Sequence, residues 1–299
     1  MDVNTNKQVR KGRFTYYIDE QRMEAWLKQG HIGRCKCFHV PSSVELDGKV
    51  YTITSVEIGA FNSPRTLKKI VIPDSINYID EDSLYSLPNL RSIFIGKGLE
   101  FLNYWNFRLC PKFSSFVIDR ANPHLKVEDG LVFDPAKSTV YKSLYDRNYY
   151  IVPEGVKVIM PLTFSWNNRL TFVDLPDSLE ELGDEVFTGA SKMEDLIMPN
   201  SVKKVGGQLC LDCENLKSAT VSESLENLGC EMFCGCRNLK KIVLGTFATN
   251  HLIEAEPEDL EGVNVGSCVL YVAKQLMDDY REHPVWGQFK NIRCIDELL

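Results

Sequence analysis

Five cysteines crowd the second half of the chain. Cys210 and Cys213 are separated by two residues, and Cys230, Cys234 and Cys236 follow closely. By spacing alone they resemble a zinc constellation, in which thiolates surround the ion tetrahedrally. Asp174 and Asp195 suggest another chemistry. Two carboxylates held together can divide acid and base roles, provided burial raises the pKa of one. The five histidines (His31, His39, His124, His251 and His283) are scattered along the sequence. There is no phosphate-cradling glycine loop, no nucleophile elbow and no helix with paired histidines.

The elements that must carry these side chains recur every 23 residues. Val56, Ile79 and Leu102 occupy one column, which resumes at Ile159, Leu182, Val205 and Leu228 after 34 extra residues. In this register Cys110, Cys213 and Cys236 share a column. Cys210 stands where Phe61, Phe164, Phe187 and Phe233 stand in other repeats. These thiols are therefore expected in the core as small hydrophobes, and neither metal nor cofactor is expected. Cys230 and Cys234 have no such column and are expected as exposed thiols. Asp174 and Asp195 are expected to be solvated. So are the histidines, with His39 placed to face outward beside Lys69. Catalysis is not expected.

Each period has three parts. A Val/Ile/Leu position and a polar turn lead to a small-aromatic pair such as Ala60-Phe61. A Leu-type residue follows six positions later, and an alternating segment such as Ile70/Ile72 or Leu196/Met198 closes the unit. Period-two alternation implies a short strand with one buried face. One or two helical turns, α or 3₁₀, fit the segment before it. Pro73-Asp74-Ser75, Pro176-Asp177-Ser178 and Pro199-Asn200-Ser201 end the strands, and their acids and amides read as turn residues. A unit this small cannot hide its apolar side alone, so units must stack, with a cap at each end. The fold class is therefore an α/β repeat: a right-handed leucine-rich repeat solenoid of 23-residue units. It has a parallel sheet on one wall, an N-terminal β cap and a C-terminal strand-helix cap.

The expected order is a disordered leader over residues 1–13, an N-terminal β cap over 14–54, the solenoid over 55–248 and a C-terminal cap over 249–299. Residues 121–154 are an insertion, with a hairpin over Gly130–Tyr141 and the tyrosines Tyr141, Tyr145, Tyr149 and Tyr150. These are expected to pack on the repeat wall. A net charge of −7 argues against a nucleic-acid partner. No run approaches the length needed to cross a bilayer, and MDVNTNKQVRKGRF lacks the apolar core of a signal peptide. The chain as given is expected in the cytoplasm. It would be secreted or surface-bound if a leader has been removed.

The segments AFNSPRTLKKIVIPDSI (60–76), VFTGASKMEDLIMPNSV (186–202), MFCGCRNLKKIVL (232–244) and LYVAKQLMDDYREHPVWGQFKNI (270–292) resemble the BspA-like leucine-rich repeat family. The resemblance implies surface-type adhesins and binding modules for proteins or glycans, often in host-associated bacteria. It implies no catalytic residues.

In such a solenoid the residues that alternate with the buried strand positions face outward. The candidate contact residues are Lys69, Val71, Phe94 and Val117, followed by Phe172, Asp174, Asp195, Ile197 and Thr220. Phe94, Phe172 and Ile197 are apolar for an open face, and exposed apolar clusters mark interaction sites. The expected function is non-enzymatic protein–protein interaction through this wall, with a partner of unknown identity. The alternative is an adhesin-type glycan or host-surface binder.

Overall fold

A computed structural model of the chain describes residues 7–61, 64–103, 106–107, 109–110, 112–144 and 147–298. It divides into two compact units. One comprises Met1–Glu128 and Val132–Pro135, the other Asp129–Leu131 and Ala136–Leu299. Tyr145 lies outside the described residues.

The first unit begins with strand Lys7–Lys11, antiparallel to Phe14–Asp19, which in turn pairs with Glu24–Gly30. This corrects the disordered leader: residues 7–11 are strand, joined to the next across Gly12 at φ +61°. Residues 1–6 lie outside the described residues. Their polar composition hid the strand, which buries little and is held by backbone pairing. Ser43–Leu46 and Lys49–Val56 form a hairpin across Asp47-Gly48. Both turn residues have positive φ, as a type I′ turn requires. A parallel sheet then runs through Cys37–His39, Lys69–Ile72, Ser92–Ile95 and Ser115–Ile118. Ile70, Ile93 and Phe116 are register partners facing the core, and all three are buried. Phe38, beside Ile70, sits between the rings of Phe14 and Phe61 (5.7 and 5.8 Å) and helps close this end.

The second unit repeats the plan. Tyr149–Ile151 runs parallel to Phe172–Asp174. Asp195–Ile197, Ser218–Val221, Lys241–Leu244, Val269–Val272 and Asn291–Cys294 form a five-stranded parallel sheet. A second wall of two-residue strands runs through Val158–Ile159, Glu181–Leu182 and Lys204–Val205. Tyr149 pairs with the residue 23 positions later, so the end of the expected insertion is itself a coil of the stack. Tyr150 is buried within it, its ring 5.3 Å from that of Phe164.

The expected helical turns do not form in these repeats. The segment instead makes a third backbone ladder. The N–H groups of Leu162, Phe164 and Trp166 donate to the carbonyls of Asp184, Val186 and Thr188, and Glu185, Phe187 and Gly189 repeat the pattern onto Gly207, Leu209 and Leu211. Left-handed residues recur in step: Leu162, Glu185, Gln208 and Glu231 in one column, Trp166, Gly189, Asp212 and Gly235 in another. A residue with positive φ cannot continue a right-handed helix. It turns alternate peptide groups toward the next coil, where they find partners. Inside this edge the Phe164 and Phe187 rings stack at 5.7 Å.

The unit ends in helix Met277–Glu282, flanked by 3₁₀ turns Lys274–Leu276 and Trp286–Gln288. Tyr280 and Trp286 seal the core, both about fully buried. The Tyr280 hydroxyl accepts the N–H of Ile253 (3.0 Å), and Trp286 Nε1 donates to the carbonyl of the same residue (2.8 Å).

Candidate functional site

The sheet pleat decides which side chains leave the core. In the first unit Val71, Phe94 and Val117 are register partners on three neighbouring strands, with His39 beside Val71. Lys69, Ser92 and Ser115 form the parallel row, with Cys37 beside Lys69. Val117 is 48% exposed. Val71 and Phe94 are half-buried and Lys69 is exposed. His39 Nε2 lies 3.7 Å from Cys37 Sγ, so the histidine does sit on the wall that carries Lys69.

In the second unit Phe172 is partnered with Tyr149, and Asp174 with Ile151. Asp195 is partnered with Ser218, and Ile197 with Thr220. Ile151 is 58% exposed, Ile197 55% and Tyr149 42%. Phe172 and Thr220 are half-buried, while Asp174 and Asp195 are exposed. Val243, partnered with Thr220, is buried on the same wall. The sequence-derived residues thus fall into two groups, one on the sheet of each unit. Tyr149 and Ile151 belong with the second group and were not among them. Stepping one period back from Phe172 points to them, but the extra residues upstream break the column and obscured it.

The groups that suggested chemistry are placed otherwise. Asp174 and Asp195 occupy different rows of the outer face, and both side chains meet solvent. An exposed carboxylate lacks the desolvation that would raise its pKa for acid catalysis. Cys110, Cys213 and Cys236 are buried, and their thiols donate to the carbonyls of Leu84, Phe187 and Cys210 at 3.1–3.3 Å. Burial pushes the Cys236 thiol far up. Cys230 is exposed and Cys234 half-buried. Partial desolvation, followed by the charges of Glu231, Asp259 and Glu258, raises the Cys230 thiol, and desolvation followed by Glu261 raises Cys234. Neither is prepared as a nucleophile, which needs a lowered pKa. Among the described residues no group of three His, Cys, Asp or Glu could hold a metal ion. Nor is any helix there long and apolar enough to cross a membrane.

The turn acids have a structural task. Asp74 Oδ1 accepts the N–H of Lys97, and Asn200 Oδ1 that of Glu223, each 23 residues on. They link consecutive coils.

Several solved structures are similar to this chain, and the first of those named supports the fold. A leucine-rich repeat protein from Eubacterium ventriosum is 14% identical, with 88% of this chain and 83% of that one covered and a TM-score of 0.58. Another, from Bacteroides ovatus, is 16% identical over 96% of this chain and 90% of that one, at a TM-score of 0.43. A leucine rich cell surface protein from Faecalibacterium prausnitzii is 11% identical over 81% and 96%, at 0.35. No curated protein matches the chain. The family model for the BspA type leucine rich repeat region matches six times, over residues 36–128 and 137–252. With most of its length matched in this way, the chain belongs to the BspA-type leucine-rich repeat family.

Proposed function

We propose that the chain is a non-enzymatic protein-binding module whose contact surfaces are the outer faces of the parallel strands within each unit. In the second unit the surface consists of Phe172, Asp174, Asp195, Ile197 and Thr220, extended by Tyr149 and Ile151. In the first unit it consists of Lys69, Val71, Phe94 and Val117. The observation that carries this reading is the pair Ile151 and Ile197. More than half of each residue is exposed, Ile151 beside Asp174 and Ile197 beside Thr220 on outward strand faces. β-branched residues suit strands anywhere, yet such exposure on a regular face leaves apolar area for a partner to cover, rimmed by the carboxylates of Asp174 and Asp195. The exposed placement of those two acids also supports a binding role over a catalytic one.

The test is site-specific photo-crosslinking in the native cell. A photoreactive residue at Ile197 is expected to yield a discrete adduct, and one at the exposed Lys203, off this sheet, is not. The double change Ile151→Ser, Ile197→Ser should abolish the adduct from a reporter at Thr220. Equal adducts from Ile197 and Lys203 would overturn the reading.

A further inference from the structure

A basic depression of about 650 Å³ opens in the second unit, lined by Arg147, Asn148, Tyr149, Arg169, Thr171 and Lys192. Among the described residues its lining carries three cations and no carboxylate, in a chain of net charge −7. Arg169 and Lys192 stand 23 residues apart, in one column of successive coils. At three other places the repeat sets opposite charges at this step: Lys157 with Glu180 (3.2 Å), Lys204 with Glu181 (2.7 Å) and Lys217 with Glu194 (2.8 Å). Arg169 and Lys192 instead place like charges on adjacent coils, as Lys68 with Arg91 also do, an arrangement that disfavours the stack unless a counter-charge is supplied. Among the described residues neither makes an ion pair. Arg147 is oriented by Asp129 at 3.4 Å. The floor is fixed, because the N–H and the hydroxyl of Thr171 both donate to the carbonyl of Asn148 (2.8 and 2.9 Å). Tyr149 is held by its stack on Phe172 and still shows 42% of its surface.

We propose that Arg147, Arg169, Lys192 and Tyr149 form a subsite for an acidic sugar, a carboxylated or sulfated residue within a glycan chain. Guanidinium groups take such anions through paired, charge-assisted hydrogen bonds. The exposed tyrosine offers an aromatic surface to the C–H face of a sugar ring, and the Asn148 amide can both donate to and accept from hydroxyls. An acidic peptide fits less well. The lining has no aliphatic side chain to anchor it, and the exposed isoleucines lie on the strand face instead. The subsite shares Tyr149 with the surface of the protein-binding reading, but that reading rests on Ile151 and Ile197.

The test is calorimetric titration of the full chain at low salt. The probes are a heparin octasaccharide, a hyaluronan octasaccharide, a neutral dextran oligosaccharide and a hexaglutamate peptide. An acidic oligosaccharide is expected to bind and the dextran is not. Binding of hyaluronan would assign a carboxylate, and binding of heparin alone a sulfate. The double change Arg169→Gln, Lys192→Gln should weaken binding by about tenfold or more with thermal stability kept, as loss of charge-assisted contacts implies. Tyr149→Ala should weaken it as well. A charge-matched control at exposed sites, Lys240→Gln with Lys290→Gln, should leave it unchanged, and so should Ile151→Ser with Ile197→Ser. The proposal is overturned if neither acidic oligosaccharide binds, if the control pair loses as much as the test pair, or if hexaglutamate binds as tightly.

Discussion

The rings of Tyr149 and Phe172 lie stacked, 6.0 Å between centroids and 10° between planes. Their residues are register partners on neighbouring parallel strands. Cross-strand aromatic pairs of this kind add about 0.5–1.5 kcal/mol beyond the area they bury. The stack joins the coil that the sequence hid to the regular repeats and holds the tyrosine ring at the basic depression. Phe172→Ala should therefore lower the unfolding free energy by about 1–2 kcal/mol, from the lost pair and some apolar area. Urea unfolding followed by far-UV circular dichroism measures this. An unchanged midpoint would mean that the stack contributes nothing.

Close approach between coils sets a second prediction. Gly183, Gly206 and Gly229 recur at one step. A β-carbon at Gly229 would fall on the carbonyl oxygen of Gly206, and one at Gly206 on the backbone and side chain of Asp184. Both neighbours are backbone or tied to backbone, so they cannot swing aside. Gly229→Ala should force adjacent coils apart and cost about 1–3 kcal/mol, as overpacking does. Thermal unfolding should show a lowered midpoint. A compatible control is Ala248→Gly, at an exposed turn position, where a change of that size is not expected.

Burial inside the sheet sets a third. Leu196 is 1% exposed and its register partner Ala219 is fully buried. Leu196→Asp places a carboxylate where no partner waits, and an unpaired buried charge is among the severest single changes. Loss of a cooperative thermal transition is the expected result. Wild-type unfolding would show that the strand register described here is wrong.

How much of this was legible can be judged residue by residue. Alternation at Ile70/Ile72 and Leu196/Met198 marked the strands, because a pleated strand facing a core demands it. The cysteine column was legible because a recurring small apolar residue has one place to go in a stack. Asp47-Gly48 announced its hairpin. The third ladder was not legible, because Leu162, Glu185, Gln208 and Glu231 adopt positive φ without being glycine. Their conformation is imposed by the bonds to the next coil, a tertiary effect that local propensity does not report. The glycine column at 183, 206 and 229 answers a contact 23 residues away and looks like ordinary turn glycine in one repeat. Of the site, the outward strand residues followed from the pleat. Arg169 and Lys192 did not, because the depression that gathers them with Arg147 and Tyr149 exists only in the folded chain.

The cysteines yield a fourth prediction. Cys37 and Cys230 are exposed, whereas Cys110, Cys210, Cys213, Cys236 and Cys268 are buried. Iodoacetamide at neutral pH should modify Cys37 first. Cys230 should follow more slowly, since partial desolvation and then the neighbouring carboxylates raise its thiol pKa and lower its thiolate fraction. The buried set should react only in denaturant. Peptide mapping by mass spectrometry reads the order, and early labelling of Cys236 in the folded protein would contradict its place in the core.

The phenols Tyr16 and Tyr280 make the last prediction, one in each unit. Burial pushes both from the usual 10.0 up to about 12, and at Tyr280 the Glu254 charge adds to this while the N–H donated by Ile253 opposes it. For an acid, a raised pKa in the folded state means that unfolding releases a proton once the pH passes the unfolded value. Below pH 10 both states hold the proton and the full stability is present. Between pH 10 and 12 the unfolded chain ionises first, so stability falls with each step in pH. The loss is on the order of 1–3 kcal/mol per tyrosine across that window. Urea midpoints measured across it should decline, and Tyr16→Phe should flatten the decline, because phenylalanine has nothing to ionise. Tyr280→Phe should flatten it too, but from a lower starting stability. It leaves the Ile253 N–H without its acceptor in the core, at about 1–3 kcal/mol. If Tyr280→Phe matched the wild type at neutral pH, the bond from Ile253 would have no energetic weight. If neither variant changed the alkaline slope, other groups would be responsible for it.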